Sequence, residues 1–108
     1  NNLQAGGSPK KILGVEPVPE KFNAFGFATR RINGNDILEI LDAFAEAKET
    51  KDKPFAIVCD TKLFQGCDYM QERFPEAHYM GVSKDHWDAA LRELDDKLKL
   101  ADALAPST

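Results

Sequence analysis

Apolar positions recur with a helical period in two stretches of the chain and with a strand pattern in two others. From Ile37 onward, Ile37, Ile40, Leu41, Phe44, Ala45 and Ala47 fall on one stripe, while Glu39, Asp42, Glu46 and Glu49 face away. Asn33-Gly34-Asn35-Asp36 ahead of this helix reads as a turn that ends in a helix cap, and Lys51-Asp52-Lys53-Pro54 reads as its stop. Trp87, Leu91, Leu94, Leu98 and Ala101 recur at spacings of three and four. They predict a second amphipathic helix, capped by Ser83, favoured by Asp85 in its first turn, and running to about Leu104, with Trp87 in the core. Phe55-Ala56-Ile57-Val58-Cys59 is a continuous apolar run, as expected of a strand buried on both faces. Phe27 to Ile32 reads as a strand with a weaker alternation. Strand, helix, buried strand predicts an α/β fold: part of a parallel sheet flanked by helices.

The remaining segments are less regular. Asn1 to Pro19 is punctuated by glycine and proline, with a small apolar patch at Ile12, Leu13 and Val15 suited to a single turn or short bridge. A short helix is predicted over Val18 to Phe25, with Pro19 in its first turn and Gly26 as its stop. Asp60 to Ser83 reads as a long loop with a helical turn around Asp68 to Arg73, and residues 105–108 as a frayed end.

Composition narrows the class. At 108 residues the chain holds one small domain with a thin core, and 43% hydrophobic against 30% charged residues is globular rather than disordered. Fourteen Lys and Arg against eighteen Asp and Glu leave a net charge of −4, which argues against nucleic acid as the partner. No apolar run is long enough to span a bilayer, and no basic, hydrophobic leader opens the sequence. Cys59 and Cys67 have neither zinc-knuckle nor CxxC spacing and read as free thiols of a reducing cytoplasm. The chain opens on Asn1-Asn2 without a methionine, so an incomplete translation product is expected.

In open α/β sheets, ligands bind beyond the carboxyl ends of the strands. Two loops qualify, Asn33 to Asp36 and Asp60 to Gly81. The second is long for a compact domain and holds Asp60, Thr61, Lys62, Gln65, Gly66, Asp68 and His78. By position alone His78 is either a solvated loop histidine or a site group. Likewise Asn1 and Asn2 are a frayed terminus unless something else ties them down. His86, in the first turn of a helix, reads as a surface residue with no role.

A resemblance shifts these alternatives. Asn1-Asn2-Leu3-Gln4-Ala5-Gly6-Gly7 and Val15-Glu16-Pro17-Val18-Pro19-Glu20-Lys21-Phe22-Asn23-Ala24-Phe25-Gly26-Phe27 are followed by Ile32-Asn33-Gly34-Asn35-Asp36. Lys53-Pro54-Phe55-Ala56-Ile57-Val58, Asp60-Thr61 and Ser83-Lys84-Asp85-His86-Trp87 come next. Segments in this order and spacing resemble the thiamine diphosphate domain of the transketolase family, along roughly Asn1 to Leu98. The resemblance implies a thiamine diphosphate-binding fold, of which residues 1–104 are the C-terminal portion. The family's cofactor motif is Gly-Asp-Gly followed further along by one or two asparagines, whose oxygens hold the metal that bridges the diphosphate. Asn1 matches the side-chain ligand and Leu3 the backbone-carbonyl ligand, for Mg²⁺ or Ca²⁺. His78 matches the family histidine near the diphosphate and the substrate.

The resemblance further implies transfer of a two-carbon ketol unit from a ketose to an aldose, by one part of a split enzyme. Its partners would be a segment carrying the Gly-Asp-Gly half and a pyrimidine-binding domain or subunit, in a dimeric or heterotetrameric assembly. Departures stand beside the substrate entrance. The family's Asp-Gly-His-Asp is Asn33-Gly34-Asn35-Asp36, and its Lys-Gly-x-Gly is Leu63-Phe64-Gln65-Gly66. Its Trp-His-Gly is Ala77-His78-Tyr79-Met80-Gly81. Bulky Phe64 in a glycine position is expected to change how the backbone approaches a ligand. These changes leave the cofactor expectation standing and call the usual sugar phosphates into question as substrates. A specialised enzyme loading a carrier protein, or a non-catalytic assembly module, are the alternative expectations.

Overall fold

The computed structural model describes residues 1–5 and 7–105. Gly6, and the tail positions 106–108, lie outside the described residues. The chain divides into two compact units, Asn1–Lys62 and Leu63–Thr108.

The first unit is α/β. Helix α1 (Pro9–Ile12) is a single turn with Pro9 at its start, and α2 (Val18–Ala24) follows with Pro19 in its first turn. Strand β1 (Ala28–Asn33), helix α3 (Ile37–Glu49) and strand β2 (Phe55–Asp60) complete it. The strands pair in parallel from Ala28↔Phe55 to Asn33↔Asp60, and α2 and α3 flank the two-stranded sheet. Helix α2 ends where expected: Phe25 is its C-cap and Gly26 turns left-handed at φ 86°. Phe22 and Phe27 then meet edge to face with centroids 5.3 Å apart, which seats the helix on the start of β1.

The turn between β1 and α3 is built almost wholly from its own side chains. Asn33 Oδ1 accepts the Asn35 N–H at 3.1 Å, and Asp36 Oδ1 accepts those of Leu38 and Glu39 at 2.9 and 3.3 Å. Such a cap contributes about 1 kcal/mol. Asn35 Oδ1 accepts the Lys62 N–H at 2.8 Å, and the Gly34 N–H donates to the Asp60 carbonyl at 2.7 Å. The turn is thereby fastened to the end of β2.

Within this first unit, three details differ from the sequence reading. The face of α3 turned inward carries Ile40, Ala43 and Ala47, with Ala43 fully buried, while Ile37, Leu41 and Phe44 are 64%, 57% and 55% exposed. Small residues let the helix approach the sheet closely, and the larger ones lie to one side of that contact. Glu39 does not face away: it is half-buried and its Oε2 accepts the Asn33 N–H at 2.7 Å. Finally β2 is not buried on both faces. Phe55 to Val58 are half-buried and Cys59 and Asp60 exposed, because the flanking helices α2 and α3 pack mainly on β1.

The second unit holds α4 (Asp68–Arg73) and α5 (Lys84–Leu104). Its core is Cys67, Met70 and Ala90, with Phe64, Tyr69, Phe74 and Val82 packed around it. Ser83 occupies the N-cap position of α5, but its side chain makes no capping hydrogen bond. Trp87 is 48% exposed rather than core, and Leu91, Leu94 and Leu98 are exposed with it. The side of α5 that packs in this unit is the neighbouring one, through His86, Ala90 and Glu93. No helix among the described residues is long and apolar enough to cross a membrane.

Gly34 gives this arrangement a sharp test. A Cβ there would stand 2.6 Å from the Cys59 Cβ and 2.8 Å from the Thr61 Cγ2. Gly34→Ala should therefore cost about 1–3 kcal/mol, seen as a lowered urea midpoint. Gly14→Ala, which meets nothing within 4 Å, should leave it unchanged.

Candidate functional site

At the carboxyl end of β2, a cleft of about 850 Å³ opens in the first unit. Its walls include Asn1, Asn2, Lys10, Glu16, Arg31 and Asp60, with Cys59 exposed at its edge. The volume is in the range of small-molecule and cofactor sites. The position is the one expected of ligand sites in open α/β sheets.

One side chain organises these walls. Arg31, near the end of β1, donates from Nε and Nη2 to the two oxygens of Asp60, both at 2.7 Å. Its Nη1 and Nη2 also donate to Glu16 Oε2 and Oε1 at 3.1 and 3.2 Å. The planar guanidinium thus serves two carboxylates at once, which an ammonium group cannot do. Parallel pairing explains the first: in register, Arg31 lies opposite Val58, and Asp60 follows two residues on. The second comes from local structure, since Glu16 Oε2 also accepts the Val18 N–H at 3.0 Å, where α2 begins. Both carboxyls are held below the usual range, Asp60 by Arg31 and Glu16 by the Val18 N–H and then Arg31. Arg31 itself is pushed further up, first by Asp60 and then by Glu16.

Asn1 and Asn2 differ in what they do. Asn1 Oδ1 accepts the Leu3 N–H at 3.0 Å, and Asn2 between them is left-handed at φ 54°, a region asparagine tolerates better than most residues. Asn1 and Leu3, both candidate ligands by resemblance, are thus brought together in one tight turn at the cleft. Beyond it, Gln4 and Gly7 exchange backbone hydrogen bonds of 2.9 Å. The amide oxygen of Asn1 keeps a second lone pair and is a hard donor, as Mg²⁺ or Ca²⁺ requires. No group of three or more His, Cys, Asp or Glu side chains suited to a metal occurs among the described residues. The residues present fit a cation that takes few ligands from this chain.

His78 belongs to the second unit, where it is exposed on the irregular segment between α4 and α5. The segment opens with a turn in which the Ala77 N–H donates to the Phe74 carbonyl at 3.2 Å. The loop before α4 keeps a backbone that its sequence conceals. Phe64, in the family's glycine position, is itself left-handed at φ 54°, and Gly66 follows at φ 97°. A bulky residue in that region is strained, and packing of Phe64 on the Cys67, Met70 and Ala90 core offsets the strain.

Glu93 of α5 completes the second unit. Its carboxylate accepts the N–H groups of Asp68 and Tyr69 at 2.7 and 2.8 Å, at the otherwise open start of α4. It also pairs with Lys97 at 2.6 Å, and Lys97 donates to Asp68 and to the Gly66 carbonyl. Lys97 first, and then the two backbone donors, hold the Glu93 carboxyl down at about 2. The sequence offers no local sign of this role, since Glu93 reads as one more acid on a helix surface. The partnership of Arg31 with Asp60 had a sign: both stand at the carboxyl ends of strands expected to pair in parallel.

No protein-family model matches the chain. It is 38% identical over 96 residues to an uncharacterised transketolase-family protein of Sinorhizobium fredii, covering 88% of this chain and 34% of that protein. It is 33% identical over 97 residues to an apulose-4-phosphate transketolase subunit of Actinobacillus succinogenes, covering 90% and 34%. A 6-deoxy-6-sulfo-D-fructose transketolase subunit of a Clostridium species is 30% identical over 95 residues, covering 88% and 34%. The chain spans about a third of the length of these curated relatives. Along 88–90% of its length the chain is thus similar to proteins of the transketolase family.

Two measurements test the electrostatics. In Arg31→Lys one ammonium cannot serve both carboxylates, so carboxyl-detected NMR should find Asp60 and Glu16 titrating closer to ordinary values. Glu93 is held below its ordinary 4.5, so it stabilises the fold above that pH and loses its contribution as the pH falls toward about 2. Glu93→Gln should lower the urea midpoint at neutral pH and flatten its dependence across that window.

Proposed function

We propose that the chain is the C-terminal portion of the diphosphate-binding domain of a thiamine diphosphate- and Mg²⁺-dependent transketolase. In this reading the enzyme is assembled from more than one subunit in the cytoplasm, where Cys59 and Cys67 stay free thiols. The observation that carries it is the cleft: Asn1 lines it, in one turn with Leu3, beyond the carboxyl end of a strand in a parallel α/β sheet. The side-chain oxygen of Asn1 and the carbonyl of Leu3 would hold the metal from this side. Metal and diphosphate would take their other protein contacts from the Gly-Asp-Gly segment. When bound, the cofactor supplies the carbon nucleophile for transfer of a two-carbon ketol unit from a ketose to an aldose.

His78 would donate a hydrogen bond to the anionic end of the cofactor or to a hydroxyl of the sugar, fixing its orientation. Two relatives are named for a sulfonated ketose and for a ketose phosphate, sugars that share a terminal anion. A ketose of that class is the donor we propose. The same names, both of subunits, support a partner subunit that brings the pyrimidine-binding domain.

Isothermal titration of the full-length protein with its partner subunit, using Mg²⁺ and thiamine diphosphate, tests the reading. Saturable binding is expected, weakened roughly tenfold or more by Asn1→Ala. His78→Ala should leave that binding in place and lower turnover about a hundredfold. Absence of cofactor binding by the complete assembly would overturn the proposal.

A further inference from the structure

His86 of α5, which the sequence leaves without a role, touches α4 through Tyr69 and the start of the His78 segment through Phe74. Its Nδ1 lies 2.7 Å from the Tyr69 hydroxyl of α4, in a part-buried hydrogen bond. Its ring meets the Phe74 ring edge to face, with centroids 5.0 Å apart and planes at 87°. Phe74 is the C-cap of α4, and so the residue from which the segment leaves the helix. At the other end Val82, just before α5, packs on the same Cys67, Met70 and Ala90 cluster as Phe74 and Tyr69. Residues 75–81 therefore span two anchors on one small core, and His86 fastens the first of them.

The segment has little else to hold it. Apart from the Ala77 to Phe74 turn it has no regular structure, and Tyr79 and Met80 are exposed. The Ser83 side chain makes no capping hydrogen bond to α5, so it does not fix the return of the chain into that helix. The start of α4 is a separate matter, held by Glu93. What remains to set the course of the His78 segment is the packing of Phe74 and Val82 and the His86–Tyr69 bond. The phenol can donate to the imidazole or accept from it, so the bond does not depend on one tautomer.

We propose that His86 is a positioning residue for the segment that carries His78, acting through Tyr69 and Phe74. This rests on the reading of His78 as a site group. The test is hydrogen exchange by mass spectrometry, with steady-state kinetics, on the full-length protein assembled with its partner subunit. His86→Phe keeps a ring against Phe74 and removes the bond, and Tyr69→Phe removes only the hydroxyl. Each should speed exchange of the hydrogen-bonded Phe74 and Ala77 amides roughly fivefold, the effect of one part-buried hydrogen bond. Exchange in residues 28–60 should be unchanged. Turnover should fall while the KM for the donor sugar stays within about twofold, since the site is displaced for part of the time rather than removed. His86→Asn, whose amide can bond where Nδ1 stands, should recover part of both effects.

Unchanged exchange of the Phe74 and Ala77 amides in both variants would overturn the proposal. So would an equal acceleration throughout residues 63–105, the mark of a residue that merely supports the core. The two readings fail separately. If His78→Ala leaves turnover intact while exchange still responds to His86→Phe, the positioning role stands and the function proposed for His78 falls.

Discussion

The first unit depends on a single guanidinium with two claims on it. Arg31 reaches Asp60 at the end of the neighbouring strand and Glu16 ahead of α2, so three segments far apart in sequence share one planar group. Exposed ion pairs as a rule contribute little to stability. This one matters for geometry: it decides where the Val15–Glu16 stretch lies against the sheet, and hence where the cleft has its wall. The turn after β1 does complementary work from the other side. There Asn35 and Gly34 bond to the backbone at the end of β2, and Gly34 lacks the Cβ that would prevent it.

The second unit repeats the device with the sign reversed. A carboxylate, Glu93, gathers two backbone donors and Lys97, and so supplies the start of α4 with partners that a six-residue helix cannot provide for itself. In each unit a charged group, exposed in Arg31 and half-buried in Glu93, fixes the course of a loop that the small buried core does not. Five apolar residues are buried among those described, and a core of that size leaves such fixing to polar contacts.

What could be read in the sequence was what is encoded locally. The cap at Asp36, the stop at Gly26, the apolar run of β2 and the period of α5 each reside in a few consecutive residues, and each marks an element that the structure contains. The facing of the helices could not be read so well. Periodicity shows that α3 has an apolar side but not that its contact with the sheet runs through Ala43, with Leu41 and Phe44 outside it. Side-chain partnerships at long separation were hardest. Glu39 reads as a surface residue because acids usually stand there, yet it reaches back to the strand before it. His86 reads the same way because Tyr69 and Phe74, its partners, lie across an irregular stretch of chain. Asn1 gained meaning only from the resemblance, and its turn with Leu3 gives that meaning a geometry.

The two asparagines at the cleft look alike in sequence but answer to different constraints. Asn1 is set by what its oxygen bonds, whereas Asn2 is set by a torsion of 54° that its side chain does not need to produce. Glycine adopts that torsion without cost. Over evolutionary time the second position is free to drift to glycine, while the first can drift only with loss of its acceptor. Glycine in the second place would therefore keep the same turn, whereas glycine in the first would leave the Leu3 N–H without its acceptor.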